Sequence, residues 1–226
     1  IFYVIQRSPG AGMFSNLIFV LNHLIICETH KFIPIIDMEN FPTIYNEKNK
    51  IFKTYNSWEY YFKPVSKFRL DKVYNSQCTI ISSNFNYKNF EIISKKIKRV
   101  YKKYIKIKKI YKIAANKFVD RKIKNNKVLA VHYRGTSYKT SAGHPFPPTA
   151  NQMKNTINYL LKKEKYNKIF LCTEDYKMFK FLKSIYKDKI IFKDSYRSYK
   201  DDAFKVYPRK NHRFKLGKEI IRRVTD

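Results

Sequence analysis

The sequence predicts an α/β protein built from two doubly wound, parallel-sheet halves, on three observations. Residues 1–37 run from an apolar segment through a glycine turn and an amphipathic stretch to a second apolar segment. Residues 128–193 alternate short apolar runs with helical patterns, and residues 94–118 between them place apolar side chains at alternating spacings of three and four. Short apolar runs joined by helices are the signature of parallel strands with crossover connections.

Each element follows in order. "IFYVIQ" reads as a buried strand, and "RSPGAGMFSN" is a turn holding Gly10 and Gly12, two of the chain's five glycines. Leu17, Val20, Leu21, Leu24 and Glu28 then trace a helical stripe with Ser15 as its N-cap, and "FIPIID" is the next strand. In residues 40–93, Trp58, Tyr60 and Tyr61 of "NSWEYYFKPVS" read as packing aromatics, with a pocket-forming insertion as the functional alternative. "CTIIS" is a short strand. From Ser94 to about Lys117, Ile97, Val100, Tyr104, Ile107, Tyr111, Ala114 and Phe118 form one face of a single long helix with lysines on the other. "DRKIKNNK" breaks that pattern and marks a junction. A strand at 128–133, a helix from Asn151 to Glu164, a strand at 168–172, a helix at 176–187 and a strand at 189–193 complete the second half. The prolines of "PFPPT" are tolerated only before or within that first helix's opening turn.

The formal net charge of +31 invites a nucleic-acid or anionic-membrane partner. Yet 38 of the 48 basic residues are Lys, accompanied by abundant Ile, Asn, Tyr and Phe, the set that AT-rich codons supply. Compositional bias therefore accounts for most of the excess. A nucleic-acid surface would interleave exposed aromatics with the lysines, whereas Tyr104, Tyr111 and Phe118 share the apolar stripe. Cys27, Cys78 and Cys172 are far apart and odd in number, so neither a disulfide framework nor a zinc ligand set is visible, and a reducing compartment fits. No apolar run reaches the ~18 to 20 residues of a membrane span. Both ends of the chain are abrupt, as in a piece of a longer protein with an incomplete second half.

In doubly wound sheets ligands sit beyond the carboxyl ends of the strands, and here two of those ends read "HYRGT" and "CTED". His132 and Arg134 fall on one side of an extended segment, Arg134 can fork onto a phosphate, and Gly135 allows close backbone approach. Glu174 and Asp175 suit ribose hydroxyls or base nitrogens. Pairing of Arg134 with Glu174 inside the protein is the alternative, and residue type and position leave the two open.

The run "VHYRGTSYK" resembles the His-x-Arg-x-x-Asp motif of the fucosyltransferase superfamily, which includes nodulation fucosyltransferases, core α-1,6-fucosyltransferases and protein O-fucosyltransferases. "TEDYKMF" is similar to their downstream Thr-Asp-Asp segment, "SPGAGMFSNLIFVLNHL" to their amino-terminal glycine loop and helix, and "HPFPPT" and "WEYYFKP" to segments of bacterial surface-glycan members. Each motif is short; their order spans most of residues 1–220.

The resemblance implies a GT-B fold, two Rossmann-like domains facing across a cleft: an acceptor-side domain at 1–93, a basic helix and junction at 94–127, and a nucleotide-sugar domain at 128–226. It implies metal-independent, inverting transfer of fucose or a similar sugar from a nucleotide-diphosphate donor, GDP-linked, to a glycan or glycolipid acceptor. No other cofactor is implied, nor a specific nucleic-acid partner. The place would be the cytoplasm, with peripheral contact at the inner face of an anionic membrane. Arg134, with His132 beside it, would neutralise the departing diphosphate. Gly135, Thr136 and Ser137 would hold the donor, Thr173, Glu174 and Asp175 would line the nucleoside, and Gly10, Gly12 and Asn16 would approach from the other domain. Ser137 stands where the motif has Asp, which puts the identity of the sugar, and activity itself, in question. An inactive relative and a basic nucleic-acid binder are the competing classes.

Overall fold

The computed structural model describes residues 1–7, 12–83, 90–139, 145–195 and 197–199. Among the described residues the chain forms two compact units, one of Ile1–Lys112 and the other of residues 113–199.

The first unit contains β1 (Phe2–Gln6), α1 (Met13–His30), β2 (Ile33–Asp37), α2 (Leu70–Tyr74), β3 (Thr79–Ile81) and α3 (Phe90–Tyr104). Its sheet is parallel with strand order β2-β1-β3 and aligns Gln6 with Asp37 at the carboxyl ends. Strand alternation sends Tyr3 and Ile5 to one face, where Phe19, Val20 and Leu24 of α1 are fully buried with Val100 of α3 and the aromatics Trp58, Tyr60 and Tyr61. Val4 and Ile35 meet Val73 of α2 on the other face. Trp58 and its neighbours are thus core, as their packing reading expects. Trp58 stacks on Phe62 at 4.3 Å, and its indole N–H donates to the Lys63 carbonyl at 3.3 Å. Burial pushes the Cys27 thiol up to about 12, which leaves it an uncharged core side chain at neutral pH.

Two local expectations change. Helix α1 opens at Met13 with Gly12 as its N-cap and no side-chain cap bond, so Ser15 lies inside the first turn. The single helix expected over residues 94–117 is two helices, α3 and α4 (Lys109–Lys122). Between them the chain pairs antiparallel with the Trp58 segment: Ile107 bridges Phe62, the Lys63 amide donates to the Lys106 carbonyl at 2.8 Å, and the Lys108 amide donates to the Tyr61 carbonyl at 3.0 Å. No glycine or proline marks this break, because tertiary hydrogen bonds impose it. The apolar stripe survives: Val100, Tyr111 and Phe118 are buried, and the Tyr111 hydroxyl donates to the Tyr60 carbonyl at 2.8 Å.

Glu28 ties α1 to α3. It pairs with Lys103, with Arg99 at 3.3 Å, and accepts from the Tyr104 hydroxyl at 2.9 Å. The Lys103 hydrogen bond, followed by that of Tyr104 and the nearby charges, holds its carboxyl below the ordinary carboxylate range against the opposing effect of burial. A depressed carboxylate contributes stability above its unfolded value and loses it as pH falls through the folded one. Glu28→Gln is therefore expected to cost about 1 kcal/mol at pH 7 and less at about pH 3, below the ordinary carboxylate range. Denaturant titrations at the two pH values check this; an equal deficit at both contradicts it.

The second unit carries β4 (Val128–Tyr133), α5 (Ala150–Glu164), β5 (Lys168–Thr173), α6 (Tyr176–Tyr186) and β6 (Ile190–Ile191), in a parallel sheet of order β4-β5-β6. Val131, Tyr133, Ile169 and Leu171 pack against Ile157 of α5 and Met178 and Leu182 of α6. Phe170 and Ile191 pack on the opposite face against Phe118 of α4. Thr149 opens α5 with a capping box: its hydroxyl accepts from the Gln152 amide at 3.3 Å, and Gln152 Oε1 accepts from the Thr149 amide at 2.9 Å.

Candidate functional site

The register of the second sheet places Tyr133 opposite Thr173, so the next residues of the two strands, Arg134 and Glu174, leave the sheet side by side. Arg134 Nε lies 3.5 Å from Glu174 Oε1, and the guanidinium sits over the Tyr138 ring at 4.4 Å. The Thr136 hydroxyl donates to the same Glu174 oxygen at 3.2 Å. The Arg134–Glu174 pair left open by the sequence is therefore present. Arg134 is held on two sides at the carboxyl edge of its sheet, its side chain about one-third exposed (32%). His132 is exposed and shares the strand face of Val128.

Behind this cation stands a buried support. Asp175 caps α6, its Oδ1 accepting from the Met178 amide at 2.9 Å, while Oδ2 lies 3.6 Å from Lys139 Nζ. The Thr173 hydroxyl accepts from the Asp175 amide at 3.0 Å. Thr136, Thr173 and Asp175 are all buried, so they shape the loops from beneath. Gly135 packs on Asp175: a Cβ at residue 135 would stand 2.3 Å from Asp175 Oδ2 and 2.8 Å from the Tyr133 ring. On the side where a Cβ would stand, Gly135 is packed against this carboxylate. Thr136 itself adopts a left-handed φ of 31°, a strained value for a β-branched residue and one that often marks a functional loop. Ser137 belongs to the short 3-10 turn Thr136–Lys139.

Sequence reasoning missed three contributors here. Tyr138 and Lys139 complete the Arg134 and Asp175 contacts. Ser198 pairs with Asp175 in parallel fashion, bringing Tyr199 onto Tyr176 at 3.9 Å between ring centres. Spacing could have flagged Tyr138, four residues after Arg134; Ser198 carries no sequence signal.

The first unit has its own cation at the equivalent place. Arg7 follows β1, its Nε donating to Asn16 Oδ1 at 3.2 Å and its guanidinium lying over Phe19 at 4.6 Å. Burial lowers its pKa. Asn16 is buried, and Gly12 faces open space at the start of α1. Gly10 lies outside the described residues. Arg7 stands at the edge of the glycine turn, which is the signal that could have identified it. Among the described residues no group of three His, Cys, Asp or Glu side chains is placed to hold a metal ion, and no helix is long and apolar enough to cross a membrane.

The chain thus builds two parallel α/β units, each with a cation at the carboxyl end of its first strand. The fold is that of the fucosyltransferase NodZ. The chain is similar to the NodZ crystal structure from Bradyrhizobium with a TM-score of 0.59 at 12% identity, covering 97% of this chain and 83% of that one. It is equally similar to NodZ α-1,6-fucosyltransferase soaked with GDP-fucose (TM-score 0.58, 13% identity) and co-crystallised with GDP (0.56, 12%), each over 97% of this chain and 83% of the other. No family model matches the sequence, and no curated protein matches it. The NodZ-like fold thus bears out the expected α/β, GT-B class, and it does so at an identity where side-chain roles have to be argued from this chain's own residues.

Proposed function

We propose that the protein is a glycosyltransferase that moves a sugar, fucose or a close relative, from a nucleoside-diphosphate donor to a glycan acceptor. The observation that carries this reading is Arg134: a cation at the carboxyl end of β4, braced by Glu174 and Tyr138, in a fold shared with a GDP-fucose enzyme. In such a transfer the acceptor oxygen attacks the anomeric carbon, the bond from that carbon to the diphosphate oxygen breaks, and negative charge builds on the leaving nucleotide. A preorganised guanidinium that meets this charge stabilises the transition state more than the ground state. The acceptor's proton passes to a base. His132, exposed two residues before Arg134, would meet a second phosphate oxygen.

The motif's missing carboxylate has a local substitute. Where Asp would orient the arginine, this chain has Ser137, and Glu174 places a carboxylate 3.5 Å from Arg134 from the neighbouring strand end. That supports an active rather than an inert relative. Peripheral attachment to an anionic membrane is consistent with the +31 charge and belongs to the same reading.

A thermal-shift comparison of GDP, UDP, ADP and CMP sugars tests it. A ligand present at a hundred times its Kd stabilises the folded state by about 2.7 kcal/mol, a shift of several degrees. The GDP sugar is expected to give the largest rise; no rise with any of the four would defeat the proposal.

A further inference from the structure

The first unit contains a cavity of about 520 Å³ that the donor reading does not use. It lies between the end of β2, the turn at residues 50–54, the Trp58 turn and the loop from Pro64 to Asp71. Its volume falls in the range of small-molecule sites, ~300 to 1,000 Å³, and exceeds what one pyranose ring needs. The walls combine the aromatic rings of Tyr55 and Phe68 with the polar groups of Thr54 and Ser66, with buried Trp58 and Asn56 beneath them. That mixture suits a sugar, whose ring C–H groups rest on aromatic faces while its hydroxyls find hydrogen bonds.

Charge is arranged in the same place. Glu59 lines the cavity half-buried; burial raises its carboxyl above the ordinary range, opposed by Lys108. Lys50, Lys53, Lys67 and Arg69 line it as exposed cations, against exposed Glu39 and Asp71, the latter 3.5 Å from Arg69. Lys50 and Lys67 lie over the Tyr55 and Phe68 rings at 5.3 and 5.6 Å, so cation and aromatic face come together. The turn carrying Lys53 is strained. Ile51 and Thr54 exchange backbone bonds of 3.0 and 3.2 Å around Phe52 and Lys53, whose φ values are 51° and 68°. Such two-residue turns are normally built with Asn-Gly, because a non-glycine residue is strained in left-handed backbone. Lys108 offsets part of this by lying over the Phe52 ring at 4.4 Å.

We propose that this cavity is a saccharide site for a sugar carrying a carboxylate or a phosphate, its ring against Tyr55 and Phe68, a hydroxyl donating to Glu59, and its anionic group held by Lys50 and Lys53. The site stands independently of the nucleotide reading, because it is built wholly from the first unit.

Trp58, the chain's single tryptophan, lines the cavity, so its emission reports occupancy directly. The protein is titrated, without nucleotide, with glucuronate, glucose 6-phosphate, glucose and inorganic phosphate. At least one acidic sugar is expected to change Trp58 emission saturably, with a Kd at least tenfold below those of glucose and of phosphate; which one does so separates carboxylate from phosphate. Lys50→Gln combined with Lys53→Gln is expected to remove that tenfold preference, and Glu59→Gln to weaken whichever acidic sugar binds, with thermal midpoints confirming that each variant folds. No saturable change, phosphate or glucose binding as tightly as the acidic sugars, or unchanged affinity in the folded double variant would each overturn the proposal.

Discussion

Replacing Gly135 with alanine is expected to destabilise the second unit by about 2–4 kcal/mol. The new methyl would stand 2.3 Å from Asp175 Oδ2, 2.9 Å from Asp175 Cβ and 2.8 Å from the Tyr133 ring, distances that no side-chain carbon tolerates. Neither neighbour can yield freely. Tyr133 is buried in the sheet core, and Asp175 caps α6 through its 2.9 Å bond to the Met178 amide. Overpacking costs about 1–3 kcal/mol and a lost N-cap about 1. Amide exchange in β5 should accelerate about 30- to 1,000-fold if those amides exchange through opening of the second unit. Unchanged β5 exchange would mean that the Gly135 contact with Asp175 is not a tight one.

Arg134→Ala is expected to weaken GDP binding by about 2–5 kcal/mol, roughly 30- to 5,000-fold, while leaving the fold intact. The side chain leaves the sheet at the strand end against Tyr138 and Glu174 and belongs to none of the hydrophobic clusters, so its removal opens no core cavity. Charge and fork geometry are what is lost. Glu174→Gln keeps the shape and removes the orienting charge, and should cost about 1 kcal/mol of GDP binding. Calorimetric titration of both variants checks the order: unchanged GDP affinity in folded Arg134→Ala removes the assignment.

The strand and helix order was readable because apolar runs and helical stripes carry it, and parallel pairing follows from the crossover helices between them. What was not readable has a common physical cause. The break between Tyr104 and Lys109 rests on backbone bonds to Tyr61 and Lys63, partners some forty residues away that no local pattern announces. Sequence reasoning assigns Asp175 to the nucleoside; that it also caps α6 through the Met178 amide and packs against Gly135 depends on how the two strand ends come together. That Arg134 and Glu174 could pair was legible from the two strand ends; that they do pair rests on the register of β4 and β5. The first-unit cavity arises from loop residues 50–71, whose charges and aromatics have no period.

The most direct measurement of the central claim is the arginine Nε–Hε spectrum of the ¹⁵N-labelled protein with GDP added in excess EDTA, the Arg134 signal being assigned from its absence in Arg134→Lys. The proposed chemistry predicts that this signal moves to a saturated position as GDP is added, without a divalent ion. An Arg134 signal that stays in place at saturating GDP, or arginine signals all indifferent to the nucleotide, would contradict it.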